Sequence, residues 1–155
     1  MTRTGQRGLT ALAAVALCAG GAPAPRACSA DTLAVVGVRD GVTRLERPGH
    51  AFTLTWRHSV SLTPVEADYI VTPDGQIVQT EERFVAHGPG MAHSGHRQTQ
   101  ADGTMVLPLH RPVPRLILRT APDYDNRLIV GEEVIDLTLW PATPLEILSP
   151  DCKKD

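Results

Sequence analysis

Large aromatic side chains are scarce: the 155 residues include two Trp, two Tyr and two Phe. Charge is sparse as well, with 21% charged residues, 15 basic against 17 acidic, and a net charge of −2. Nucleic-acid binding needs a basic groove and stacking aromatics, so these two shortages exclude that class. The even balance also excludes a highly charged disordered tail. No apolar run reaches the ~20 residues a membrane-spanning helix requires. No Gly-x-Ser-x-Gly elbow occurs, which removes the usual sequence mark of an α/β serine hydrolase. Glycine and proline are plentiful instead, 13 of each, and they punctuate the chain at short intervals. Proline breaks helices, so this punctuation predicts many short strands and no long helix in the folded part. The length suits one domain that buries enough surface to fold without a metal or a disulfide.

The first thirty residues read as an address rather than as structure. Arg3 and Arg7 precede an apolar run over residues 9–19, and Gly20, Gly21, Ala22, Pro23 and Pro25 follow it. A positive start, a short apolar stretch and a small-residue exit are the parts of a secretory signal peptide. The expectation is export to the bacterial periplasm, with residues 1–30 removed by cleavage after Gly21 or after Ala30 and a single domain over residues 31–155. Cleavage after Gly21 keeps Cys28 and Cys152 near the two ends of the mature chain, where an oxidising compartment permits a disulfide between them. Cleavage after Ala30 leaves Cys152 alone. Removal also takes away Arg3, Arg7 and Arg26 but no acid, so the mature domain is more acidic than the whole chain.

Beyond residue 30, short apolar–polar alternations are closed by turn residues, which predicts an all-β antiparallel sandwich of about nine strands. Residues 32–39 and 42–46 flank Asp40-Gly41, a strong hairpin signal. Phe52, Leu54, Trp56, His58 and Val60 alternate with Thr53, Thr55, Arg57 and Ser59 along the clearest strand. With residues 61–64 as the loop, the returning strand 65–72 sets Trp56 opposite Tyr69, Leu54 opposite Val71 and Arg57 opposite Asp68. That register also makes Ser59 and Glu66 neighbours on the face away from His58. Residues 76–85 are polar enough to predict an edge strand, open to strand addition by a partner. A polar loop over 87–103 follows, and further strands are expected at 104–109, 115–120, 126–130, 134–139 and 145–148.

The string His58-Ser-Val-x-Leu-Thr-Pro-Val-Glu66, followed by Tyr69-x-Val71, Phe84 and the loop Gly88-Pro-Gly90, resembles the bacterial family catalogued as domain of unknown function 1850. Pro114-Arg-Leu-Ile-Leu118 and the hairpin over 126–139 fit its pattern too, so the resemblance spans roughly residues 33–139. It implies a small exported protein, of a kind often encoded beside TAXI-type TRAP transporters, which are ion-driven uptake systems with a periplasmic solute-binding subunit. A TRAP solute-binding or membrane subunit is then the implied partner, and the family supplies no established chemistry. Two positions depart from the pattern: Ala67 stands where members commonly carry a second acid, and Pro89 replaces the middle Ala of a Gly-Ala-Gly loop. Both departures argue against a catalytic device.

His58 has two readings. It is a proton acceptor or ligand at the mouth of the sandwich, or a half-buried imidazole satisfied by the backbone of the following turn. His58, Ser59, Glu66, His87, Gly88 and Gly90 together form the expected partner- or ligand-binding end. Gly88 and Gly90 either present N–H groups to an anion or supply the positive φ of a tight turn. His93-x-x-His96 could hold a divalent transition metal, against the plainer reading of a solvated loop. The leading expectation is therefore a non-enzymatic periplasmic accessory of a TRAP-type uptake system, with no cofactor. The alternative is a metal- or small-ligand-binding module built on the His-rich loop.

Overall fold

The computed structural model describes residues 30–86, 88, 96–141 and 143–150. Among these residues, eleven strands form two antiparallel sheets. In chain order they are β1 (Thr32–Gly37), β2 (Thr43–Pro48), β3 (Ala51–Arg57), β4 (Pro64–Val71), β5 (Ile77–Phe84), β6 (Gln98–Thr99), β7 (Met105–Val113), β8 (Leu116–Leu118), β9 (Arg127–Val130), β10 (Glu133–Asp136) and β11 (Leu145–Leu148). The small sheet runs β2-β1-β11-β8 and the large one β10-β9-β3-β4-β5-β7-β6. This is the expected all-β sandwich. Among the described residues no helix is long and apolar enough to cross a membrane.

Period-two burial accounts for the core. On β4, Val65, Ala67, Tyr69 and Val71 are buried, and on β3 so are Phe52 and Leu54. All of these but Val65 meet Leu33, Val35, Leu116, Leu145 and Ile147 of the small sheet in one apolar cluster. Phe52 and Tyr69 face each other across the β3–β4 ladder with stacked rings 5.1 Å apart. At one side Arg47 of β2 makes a two-pronged ion pair with Glu133 of β10, at 2.7 and 2.8 Å, tying the edge strands of the two sheets together. Four strands cannot cover seven. Val65, Phe84 and Leu107, on the far part of the large sheet, form a second cluster of their own.

The face assignment of the β3–β4 hairpin holds, but its register is four residues away from the expected one. Trp56 lies opposite Val65, Leu54 opposite Ala67 and Thr53 opposite Asp68; Arg57 pairs with Pro64. An even shift preserves which side chains point inward, so alternation alone cannot tell the two registers apart. The turn decides. His58 N–H donates to Thr63 C=O at 2.9 Å and Leu62 N–H to His58 C=O at 2.8 Å, which closes the hairpin at residues 58–63 rather than 61–64. Ser59 therefore belongs to the turn, while Glu66 sits opposite Thr55, so the two are not cross-strand neighbours.

The polar strand also lies elsewhere than expected. β5 runs inside the large sheet between β4 and β7, and is closed to strand addition. Its polarity has a cause. Ile77 and Phe84 are both buried although they stand an odd number of positions apart. Both can face inward because the ladder passes from Asp68↔Glu81 to Tyr69↔Gln79, leaving Thr80 as a bulge. The bulge brings Gln79 and Glu82, 1% and 2% exposed, onto the same inner side, where the Gln79 amide donates to Glu82 at 3.1 Å and the Arg111 guanidinium donates to the Gln79 carbonyl. Strand β7 extends well past the expected 104–109. Its Pro108 and Pro112 are tolerated because two-residue β6 pairs only with Met105 and Val106. The expected strand at 134–139 stops at Asp136, whose carboxylate accepts the Thr138 N–H at 2.8 Å and starts a 3-10 turn over Leu137–Leu139.

Leu128 is fully buried at the centre of the main cluster. Leu128→Ala is expected to lower the unfolding free energy by about 2–5 kcal/mol, read as a shift in the urea midpoint at constant slope.

Candidate functional site

His58 leaves the end of β3 at 6% exposure, and its ring turns back onto its own loop. Nδ1 accepts the backbone N–H groups of Val60 and Ser61, each at 3.3 Å. The ring nitrogen is thereby engaged as an acceptor by its own turn. Ser61 and Thr63 add a hydroxyl–hydroxyl bond of 2.8 Å beneath the loop. Leu62 is held at φ +56°, a left-handed conformation that a branched side chain rarely adopts. The imidazole thus closes a turn that holds a strained residue at its tip. Val60 and Leu62, 73% and 63% exposed, are the side chains presented there.

Gly88 packs against the other edge of the same ring. A Cβ built on it would stand 2.5 Å from Cε1 and 2.6 Å from Nε2 of His58. That close approach of the ring is what requires glycine there. Of the expected site residues, the structure brings His58 and Gly88 together. Ser59 is exposed on the turn, and Glu66 lies away on the outer face of the large sheet. His96 is exposed. His87, Gly90, His93, Cys28, Cys152 and nearly all of the expected signal peptide lie outside the described residues. Among the described residues no group of three or more His, Cys, Asp and Glu is placed to hold a metal.

Glu66 belongs to a charge network centred on Arg83 of β5. The guanidinium binds Glu66 at 3.0 Å, Asp68 at 2.6 Å and Glu81 at 2.5 Å. The Thr53 hydroxyl donates to Asp68 at 2.6 Å. Burial pushes the Asp68 carboxyl up, but the bonds from Arg83 and Thr53 outweigh it and hold the group below its ordinary value. Arg83 is raised in turn, chiefly by its bond to Asp68. Asp68 and Arg57 are therefore not the pair the sequence suggested; the partner comes from the next strand.

A pocket of 200 Å³ between β8 and the end of β3, walled by Leu54, Trp56, Tyr69 and Leu137, escaped the sequence reading. In the sequence Trp56 shows only as one member of the alternating strand, because nothing local announces that β9 stops short of it.

Together, an 11-stranded two-sheet sandwich and a histidine-clamped turn define a small all-β domain with a stiffened loop end. Residues 52–137 match the family described as Domain of unknown function (DUF1850), and the chain belongs to that family. No curated protein and no solved structure matches it.

Two outcomes follow for this site. Gly88→Ala is expected to cost about 1–3 kcal/mol by forcing a methyl into the imidazole. The same change made in His58→Ala should cost less than about 0.5 kcal/mol, so a double-mutant cycle by chemical denaturation reads the contact directly. For Asp68, a carboxyl depressed in the folded state contributes stability above its unfolded value of 3.8, and that stability is lost as pH falls through the lower folded value. Asp68→Asn should therefore be less stable than the natural protein at pH 7 and show a shallower loss of stability below about pH 4; parallel acid limbs would contradict this.

Proposed function

We propose that the protein is an exported, non-enzymatic accessory of a TAXI-type TRAP uptake system. It works by docking the His58–Thr63 turn onto the solute-binding subunit or the membrane component. The observation that carries this reading is the turn itself: two exposed apolar side chains held out by a buried imidazole around a strained Leu62. Single exposed apolar residues are ordinary on protein surfaces. A turn that spends a buried histidine and a left-handed Leu to present two of them is not, because backbone strain persists only where the surroundings over-determine it. The same geometry speaks against His58 as a general base. The nitrogen able to take a proton already accepts two N–H groups of its own turn. Export is supported by the order of positive, apolar and small-residue segments over residues 1–30, and the transporter association by the family's usual company.

The test is affinity capture of the tagged protein from its own cell envelope after mild cross-linking, with mass spectrometry of the captured chains. The natural protein is expected to bring down a TRAP subunit. Val60→Asp/Leu62→Asp should lose it while its stability stays within about 0.5 kcal/mol, since both side chains are exposed. Undiminished capture by the folded double variant would move the contact to another surface. Failure of the natural protein to bring down any TRAP subunit would remove the accessory reading.

A further inference from the structure

The ladder between β3 and β9 covers only Thr53, Leu54 and Thr55. Before β9 the chain turns aside through a 3-10 turn at Pro122–Tyr124, so Trp56 has no strand beside it on that flank. The small sheet ends at β8, and between β8 and Trp56 the core opens into the 200 Å³ pocket. Its walls are Leu54, Trp56, Tyr69, Ile117 and Leu137, with Arg119 and Arg127 also lining it. Leu54, Tyr69 and Leu137 are buried, whereas both arginines are exposed, so apolar depth meets a cationic lip.

Three observations say what such a space accepts. The pocket opens to solvent, but its inner wall of Leu54, Tyr69 and Leu137 offers water few polar neighbours and offers an apolar group dispersion contacts. Among the described residues Arg119 makes no ion pair, while Arg127 engages Asp125 only in an exposed pair, which is weak. The Tyr69 hydroxyl has no hydrogen-bond partner among the described residues, and burial pushes it up to about 12, so it stays a neutral donor.

We propose that this pocket binds a small monocarboxylate with a short apolar tail, the tail against Trp56, Tyr69 and Leu137 and the carboxylate on the Arg119 guanidinium. A void of about 150 Å³ lined by apolar residues holds one benzene, so this larger one takes a tail of about five or six carbons. Guanidinium recognises carboxylate by two parallel N–H bonds, which sets the sign of the ligand. The site is separate from the Val60–Leu62 contact and stands or falls independently of it.

The chain contains two tryptophans, so Trp140→Phe leaves Trp56 as the reporter in the pocket wall. Straight-chain carboxylates from acetate to decanoate, titrated at constant ionic strength, are expected to give a saturable fluorescence change. Affinity should be greatest near pentanoate and hexanoate, and pentylammonium should give no response. Arg119→Gln should weaken hexanoate about tenfold, the scale of one charge-assisted bond, with an unchanged unfolding midpoint. Any of four results overturns the proposal: no saturable response, equal affinity in Arg119→Gln, an equal response to pentylammonium, or affinity that climbs without limit as the tail lengthens.

Discussion

Ile77 and Phe84 must both face inward, and an unbroken strand cannot turn two residues an odd number apart to the same side. The Thr80 bulge resolves this, and the large sheet is organised around it. It joins the main apolar cluster, which Ile77 enters, to the second cluster, which Phe84 anchors. The cost is a stretch where Gln79 and Glu82 are carried inside. They are tolerated because the amide, the carboxylate and Arg111 are hydrogen-bonded in series. Removing the bulge would turn one of the two clusters outward.

Alternation made most of the fold legible. The inward faces of β3 and β4, the β1–β2 hairpin at Asp40-Gly41 and the last strand all follow from period-two burial and turn chemistry. Register was not legible, since it depends on a turn whose closing groups are a histidine nitrogen and backbone N–H groups. No rule of turn propensity assigns that role to histidine. The position of β5 was not legible either. Polar residues in a strand usually signal an exposed edge, and here the bulge makes them signal the sheet interior.

The two halves of the site differ in the same way. His58 and Gly88 could each be singled out from the family string, but their contact is a property of the folded chain alone. Glu66 and Ser59 share that string and take no part in the contact. Their neighbourhood in sequence reflects a hairpin that passes through two different environments, a polar outer face and a solvent-facing turn. A short motif can thus be one piece of structure without being one chemical unit.

Strand β7 carries a further consequence. Past β6, the strand carries Pro108 and Pro112, neither of which has an amide hydrogen to offer a neighbouring strand. An incoming strand would find a broken row of donors there, and growth of the sheet from one molecule into the next is blocked on that flank. Long-lived crowding with other unfolded or partly folded chains would thus leave this rim inert. Among the described strands, the other edges open to such growth are β10 of the large sheet and β2 and β8 of the small one.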